Sequence, residues 1–208
     1  MCRRFTMLSA DEVRHIITCL ETGRPLEMAS STNTPHDEAF PGAEVPVIVT
    51  GADALEPRQL SWGFVLPDTG KLVFNTRLEK AAESRFWQAS YQDRRCAVPA
   101  LAFCETHRSE QTLNDRGKRM RQAYRFEPES SEPLVMAGIW QDGRFSVMTT
   151  TPDDNVAPVH DRMPLLLDGT GTLEWLAGEE PQRILPHLAA TPLHRPAPRE
   201  DGEQLGLF

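Results

Sequence analysis

Cys2 has the most distinctive chemistry in this sequence, because it becomes the first residue once Met1 is removed. Its free α-amine would then lie beside its thiol, with reference pKa values of roughly 7.7–8.0 and roughly 8.5. Such a pair condenses with an aldehyde: the amine forms an imine, and the thiol closes it into a five-membered thiazolidine. On position alone, a chance cysteine at a frayed terminus is the favoured interpretation of Cys2.

Three polar residues follow or interrupt apolar segments, where a site can form. Asn75 follows a short apolar run, Glu105 ends a longer one, and His160 stands beside Asp161 ahead of another. Partial burial of Glu105 would raise the pKa of its carboxyl group and suit it to proton transfer. Taken singly, these residues are better explained by structural roles as a helix cap, a surface acid and a packed histidine.

Capping boxes mark two predicted helices. The first begins at Ser9 with Glu12 three residues later, and it ends near Gly23. The second begins at Thr76 with Glu79. The predicted helices after the first run over about 77–91, 170–177 and 180–189.

Short apolar and β-branched runs predict a sheet. The predicted strands are 45–50, 59–65, 72–74, 94–104, 123–126, 134–140, 145–151 and 163–167. Residues 24–44 and 107–122 are predicted loops, and Asp142-Gly143 predicts a tight turn within an antiparallel meander. The pattern lacks regular βαβ alternation. It therefore predicts one α+β domain with a mostly antiparallel sheet, curled toward a barrel and flanked by helices.

Composition narrows the class of protein. Hydrophobic residues make up 39% and charged residues 25% of the 208 residues, which is typical of soluble domains. No secretory signal or transmembrane run is present, so a cytoplasmic protein is expected. The four cysteines form no CxxC pair, and a zinc site from Cys96, Cys104 and His107 lacks standard spacing, so neither a metal nor a cofactor is predicted.

Charge is unevenly distributed along the chain. The net charge of −8 argues against a large duplex-DNA surface. Residues 107–125 nevertheless carry six arginines and lysines against two acids. Taken alone, this stretch is typical of a solvated loop, although a small single-strand site needs only a few cations.

Several motifs, taken together, resemble a known family. They are Cys2 with Arg4-Phe5, Asn75-x-Arg77-x-Glu79 with Ser84-Arg85, Glu105, and His160-Asp161-Arg162-Met163-Pro164. In order and spacing over residues 2–167 they are similar to the SOS-response-associated peptidase (SRAP) family, whose members shield abasic sites in single-stranded DNA. The resemblance implies an SRAP-like domain over residues 1–194, and the Pro-rich, charged composition of residues 195–203 predicts a flexible tail over 195–208.

The resemblance also implies roles for individual residues. Cys2 would capture the aldehyde of the opened abasic sugar, and Asn75 would orient the linkage. Glu105 would move protons, and His160 would act as acid or base in opening the sugar. Flanking phosphates would be bound by Arg4, Arg77, Arg85 and Arg162. The peptidase activity of such a protein would remove Met1.

Two other functions remain open at this stage. One is an N-terminal-nucleophile hydrolase that uses Cys2 or Cys104 with His160, although no oxyanion-hole motif supports it. The other is a non-catalytic module that binds single-stranded DNA.

The chain ends in a possible partner motif. Gln204, Leu205, Leu207 and Phe208 resemble the pentapeptide by which bacterial replication and repair proteins bind the sliding clamp. A tail of this kind would present apolar side chains to a groove on the partner. The alternative is a final strand that packs its leucines on the domain.

Overall fold

The computed structural model describes residues 2–28, 35–114, 116–130, 132–179 and 188–193, the last segment as backbone alone. The helices are α1 (Ala10–Thr22), α2 (Leu78–Ala81), α3 (Gln88–Asp93) and α4 (Gly169–Leu176). The strands are β1 (Arg4–Met7), β2 (Glu38–Ala39), β3 (Glu44–Thr50), β4 (Leu55–Trp62), β5 (Phe64–Val65), β6 (Leu72–Val73), β7 (Asn75–Arg77), β8 (Arg95–Leu113), β9 (Arg119–Pro128), β10 (Leu134–Gln141), β11 (Arg144–Thr150), β12 (Met163–Pro164), β13 (Leu166–Leu167) and β14 (Leu188–Leu193).

The long strand β8 organises the sheet. Its first part pairs with β3 and β10, and its second part pairs with β1 and β9. Because β10 pairs with β11, β11 with β4, and β4 with β3, the pairings run around a ring that returns to β8. Pairing is antiparallel except where β11 meets β4 and β7. The predicted α+β class with a curled, mostly antiparallel sheet is confirmed.

Alternate side chains of β3 pack into two different core clusters. Val45, Val47 and Val49 belong to the cluster that also contains Cys2, whereas Ile48 belongs to a second cluster beneath α1. This is the period of two that places successive strand residues on opposite faces. Strand β3 is therefore buried on both faces.

Helix α1 forms as its capping box predicts. The Ser9 hydroxyl accepts from the Glu12 backbone N–H, and the Glu12 carboxylate accepts from the Ser9 backbone N–H. Gly23 ends the helix in the left-handed conformation at φ 65°, which suits glycine. The apolar face then packs on the second core cluster.

The predicted helix over 77–91 is wrong. Two short helices, α2 and α3, lie there with a turn between them. The Thr76 hydroxyl contacts the Ser146 hydroxyl across the sheet instead of capping a helix. The Glu79 carboxylate binds the Arg162 guanidinium. Tertiary contacts therefore take both groups that the capping box would have used.

The predicted loop over 107–122 is also wrong, because β8 and β9 continue through it as a hairpin. Gln111 pairs with Arg121, and Leu113 pairs with Arg119. The predicted meander fails for a related reason, since β10 pairs with β8 and not with β9. Asp142 and Gly143 do form the predicted tight turn between β10 and β11, with φ of 50° and 74°.

Smaller differences affect the edges of elements. Asn75 begins β7 and does not simply follow a strand, and the short strand β2 interrupts the predicted loop over 24–44. Of the helix predicted over 180–189, residues 188 and 189 lie in β14, and the others lie outside the described residues. The predicted tail over 195–208 also lies outside them. In the described part of the chain, no helix has the length and apolar character needed to cross a membrane.

Candidate active site

Cys2 and Asn75 are in direct contact. The Asn75 side-chain amide donates to the Cys2 backbone carbonyl at 2.7 Å. Cys2 is fully buried and Asn75 is 9% exposed. The Asn75 Oδ1 atom is buried and has no hydrogen-bond partner among the described residues. An acceptor in this position is suited to a donor supplied by a bound molecule, because leaving it unpaired costs roughly 1–3 kcal/mol.

Trp62 fixes the relative position of the two segments. Its indole ring packs on Phe5 with 4.7 Å between centroids, and it also contacts Phe74 edge-on. Its indole N–H donates to the Phe74 carbonyl at 2.8 Å. Phe5 lies three residues after Cys2, and Phe74 immediately precedes Asn75. One buried tryptophan therefore holds β1 against the start of β7.

Glu105 lies within β8 on the same site. Its side chain is only 3% exposed, and this burial raises the pKa of its carboxyl group to about 7. Burial also raises the pKa of the Cys2 thiol well above its usual range, and the nearby Glu105 charge adds to the effect. Near neutral pH the thiol is therefore protonated, while Glu105 can both donate and accept a proton.

His160 faces Glu105. The distance between His160 Nε2 and Glu105 Oε2 is 4.0 Å. The Arg162 backbone N–H lies 3.0 Å from His160 Nδ1, and the Asp161 carboxylate and the Arg162 carbonyl lie 3.1 and 3.2 Å from the same nitrogen. Burial lowers the pKa of His160.

A compact loop carries His160 to this position. The Asp153 carboxylate accepts from the backbone N–H groups of Asn155 and Val156. The His160 backbone N–H then donates to the Val156 carbonyl at 2.9 Å. Val156 and Val159 are buried in the first core cluster. The loop is thus anchored by a capping aspartate and two apolar side chains.

Arg162 is buried behind the site and is bound by protein groups. Its guanidinium makes a two-point contact with the Glu79 carboxylate at 2.6 and 3.0 Å. It also donates to the Thr149 carbonyl at 2.6 Å. Arg162 is only 8% exposed. Its contacts connect the segment that carries His160 to α2 and β11.

The other predicted phosphate ligands have different environments. Arg4 is half-buried, with its Nε atom 3.1 Å from a Glu38 carboxylate oxygen and 3.4 Å from the Cys104 sulfur. Arg77 ends β7 and is exposed, and Arg85 is exposed in the turn between α2 and α3. Exposed cations are the ones that can meet a phosphate without first losing a protein partner.

One group among the described residues could offer metal ligands. His15, Cys19 and Glu27 place one ligand atom each within 4.8 Å of one another. The Arg24 guanidinium already lies 3.8 Å from the Cys19 sulfur and 3.6 Å from a Glu27 oxygen. This group is on α1 and the segment after it and does not contact Cys2.

Sequence reasoning missed the residues that support the site. The Thr149 carbonyl accepts from Arg162, but Thr149 carries no recognisable motif. Glu79 was interpreted as a helix cap. A buried arginine beside His160 requires a carboxylate, and that requirement could have directed attention to Glu79. The partner residues Gln204, Leu205, Leu207 and Phe208 lie outside the described residues.

Comparisons with known proteins agree on one family. A family profile described as "SOS response associated peptidase (SRAP)" matches residues 1–201. The abasic site processing protein YoqW of Bacillus subtilis is 25% identical over 190 residues, covering 85% of this chain and 80% of that protein. The B. subtilis abasic site processing protein YobE is also 25% identical over 190 residues, covering 85% of this chain and 82% of its own length.

Solved structures share the fold. A phage-related protein from Bordetella bronchiseptica matches with a TM-score of 0.70 at 22% identity, covering 93% of this chain and 95% of that one. A second B. bronchiseptica protein matches with a TM-score of 0.67 at 20% identity, covering 92% of this chain and 99% of its own.

Proposed function

The chain belongs to the SOS response associated peptidase (SRAP) family, and from that premise we propose that it cross-links itself to abasic sites in single-stranded DNA through Cys2. The contact of Asn75 with the Cys2 carbonyl is the observation that carries the proposal. The relatives named abasic site processing proteins support the substrate class.

The reaction requires a free α-amine, and therefore loss of Met1. One water molecule hydrolyses the Met1–Cys2 peptide bond, releasing methionine and the Cys2 amine. We assign this self-processing to the same site. While Met1 is attached, the nitrogen of Cys2 is an amide and cannot form an imine.

Cross-linking then proceeds in two bond-forming steps. The amine adds to the aldehyde of the ring-opened abasic sugar, and the resulting carbinolamine loses water to give an imine. The Cys2 sulfur attacks the imine carbon, and the thiol proton is transferred to the nitrogen as the thiazolidine ring closes. One water molecule is released overall, and nothing is oxidised or reduced.

Glu105 is suited to the proton transfers in these steps. A carboxyl group with a pKa of about 7 donates to the departing hydroxyl of the carbinolamine and then accepts the thiol proton. His160, with Nε2 facing Glu105, acts as the acid or base that opens the sugar ring. Asn75 holds the Cys2 carbonyl and offers Oδ1 to a donor on the substrate.

The arginines divide into two groups in this proposal. Arg77 and Arg85 are exposed and contact phosphates of the flanking strand directly. Arg4 and Arg162 are engaged with Glu38 and Glu79, so they add positive potential and contact DNA only by exchanging these carboxylates.

The test is a denaturing gel. Processed protein is mixed with single-stranded DNA that carries one abasic site, and a covalent complex resistant to denaturant is expected. Cys2→Ser and a chain that retains Met1 should give none, whereas Cys19→Ser, a matched control at another buried cysteine, should react normally. A fully processed chain that leaves the abasic strand unmodified overturns the proposal.

We also propose that the segment Gln204-Leu205-Gly206-Leu207-Phe208 binds a bacterial sliding clamp. Two leucines and a phenylalanine would fill an apolar groove, and burial of Leu207 and Phe208 would contribute roughly 1.5–3 kcal/mol each before ordering costs. Fluorescence anisotropy of a labelled 195–208 peptide against a clamp tests this, with Phe208→Ala as control. A lack of saturable binding overturns it.

A further inference from the structure

The outer end of the β8–β9 hairpin carries positive charge that the proposed reaction at Cys2 does not use. We call residues 107–121 the basic arm. Five cationic residues stand in it against two acids, although the whole chain has a net charge of −8. The cationic residues are Arg108, Arg116, Lys118, Arg119 and Arg121, and all five are exposed.

The arm is held in a fixed conformation at both ends. At its base, His107 Nδ1 accepts from the backbone N–H groups of Ser109 and Glu110, and the Tyr124 hydroxyl donates to the Glu110 carboxylate at 2.5 Å. At its tip, the Asn114 side chain accepts from the backbone N–H groups of Arg116 and Lys118. These bonds reduce the ordering cost of presenting the cations to a ligand.

The base of the arm is joined to the candidate active site. It begins two residues after Glu105 along β8. The Arg108 backbone N–H donates to the Val159 carbonyl at 3.2 Å, and its guanidinium donates to the Ala157 carbonyl at 3.3 Å. Both carbonyls belong to the loop that carries His160. The arm therefore extends from the edge of the site and not from a remote surface.

The reach of the arm can be estimated from its register. Tyr124 pairs with Glu105, and Arg119 lies five residues farther along β9. At a rise of roughly 3.3 Å per strand residue, Arg119 lies about 17 Å beyond Glu105. Arg119 and Arg121 are two residues apart and so share a face of the strand. A helical strand of DNA covers that distance in about five nucleotides.

From this geometry we propose that the basic arm binds phosphates of the DNA strand that flanks the abasic site, about three to five nucleotides from Cys2. The inference rests on the proposed function, because that function brings DNA to the site. Phosphates along a strand complement a row of exposed cations, and guanidinium groups bind them through paired hydrogen bonds. The arm thereby adds sequence-independent affinity to the phosphate contacts proposed for Arg77 and Arg85.

The experiment compares two abasic single strands: a 5-mer with two nucleotides on each side of the lesion, and a 21-mer with ten. Arg119→Ser combined with Arg121→Ser removes two charges from the arm. Arg14→Ser combined with Arg24→Ser removes two charges from α1 and the segment after it and serves as the matched control. A third variant, Arg119→Lys combined with Arg121→Lys, keeps the charge and shows whether changing these residues disturbs folding. Cross-linking rates are measured at subsaturating protein, and anisotropy measures affinity for an undamaged 21-mer.

With the 21-mer, the arm variant should bind and cross-link on the order of fivefold more weakly. The slope of log affinity against log salt should fall by about 1.4, since each lost phosphate contact on a single strand accounts for about 0.7. With the 5-mer, the arm variant should react like the wild type. The control should match the wild type on both strands, and the lysine variant should recover most of the affinity.

The outcomes separate the two proposals. If the wild type cross-links both strands and the arm variant equals the α1 control on the 21-mer, the arm proposal is overturned and the reaction at Cys2 stands. An equal loss on the 5-mer and the 21-mer also overturns it, because the arm would then affect the site itself. If the wild type binds the 21-mer with a steeper salt slope than the arm variant but never cross-links, the arm proposal is supported and the reaction at Cys2 fails.

Discussion

His160 Nε2 and Glu105 Oε2 lie 4.0 Å apart, and burial changes the proton affinities of the two groups in opposite directions. It raises the pKa of Glu105 to about 7 and lowers the pKa of His160 from its ordinary value. Near neutral pH a proton therefore resides on the carboxyl group in preference to the imidazole. When the pair holds one proton, that proton lies on Glu105 and the imidazole is neutral, so Glu105 can donate.

Glu105→Gln tests this assignment through stability. A carboxyl group whose pKa is raised in the folded state destabilises the fold as pH increases from about 4.5 to about 7, because the unfolded chain ionises more readily. Glutamine removes that penalty, so the variant should be more stable than the wild type at pH 8 by at most about 3 kcal/mol. The two proteins should be equally stable at pH 4.5. Urea unfolding at both pH values measures the difference.

The same variant should lose most cross-linking activity, since glutamine cannot exchange protons. Glu127→Gln, a carboxyl group that bonds Arg125 away from Cys2, is the matched control and should react normally. A Glu105→Gln protein with unchanged stability at pH 8 would show that the carboxyl group is not perturbed.

Asn75 is expected to act through the Cys2 carbonyl. Asn75→Ala removes the donor, and Asn75→Asp replaces it with an oxygen that repels the carbonyl. Loss of a buried hydrogen bond costs roughly 1–3 kcal/mol, so the alanine variant should cross-link about tenfold more slowly and the aspartate variant more slowly still. Single-turnover gel assays provide the rates. Gln92→Ala, an exposed amide on α3, should not change them, and equal rates for all four proteins would exclude a role for the amide.

The Glu79–Arg162 pair should support stability and its pH dependence. The Arg162 guanidinium lowers the pKa of the Glu79 carboxyl group, so the stabilisation is present above about pH 4 and is lost as pH falls through the lowered value. Because the Glu79 side chain is 52% exposed, Glu79→Gln should cost only about 1–2 kcal/mol at pH 7. Chemical unfolding from pH 2 to pH 7 tests this. Glu83→Gln, which removes the exposed ion pair with Lys80, is the control. The assignment is contradicted if the difference in free energy of unfolding between the wild type and Glu79→Gln stays the same as the pH is lowered.

Sequence patterns predicted elements well where local signals and tertiary packing agree. The Ser9 capping box and the Asp142-Gly143 turn form as expected, and the Glu12 carboxylate caps Ser9 through one oxygen while His36 contacts the other. Thr76 and Glu79 carry the same local signal, but Ser146 and Arg162 bind their side chains instead. The polar residues beyond Glu105 predict a loop although they form a hairpin, because strands exposed on both faces lack the apolar alternation that marks a half-buried strand.

The site residues were suggested by their motifs, but their contacts were not. Nothing local to Asn75 indicates that its amide meets the Cys2 carbonyl, 73 positions away in the chain. Nor does the sequence show that Arg162 is occupied by Glu79, because that pairing arises from the way β7 and β11 lie side by side.

The order of bond formation yields a last prediction. Burial keeps the Cys2 thiol protonated, so the α-amine should react first and the sulfur second. A processed Cys2→Ala chain still has an α-amine and should form an imine with the abasic aldehyde, but it cannot close the ring. Without a reductant the imine hydrolyses, and no complex should survive denaturation. Cyanoborohydride reduces the imine to a stable secondary amine, so the complex should appear only when it is added.

A Cys2→Ala chain that retains Met1 is the control and should not be trapped. If cyanoborohydride traps the processed Cys2→Ala chain no better than this control, the sulfur must attack first.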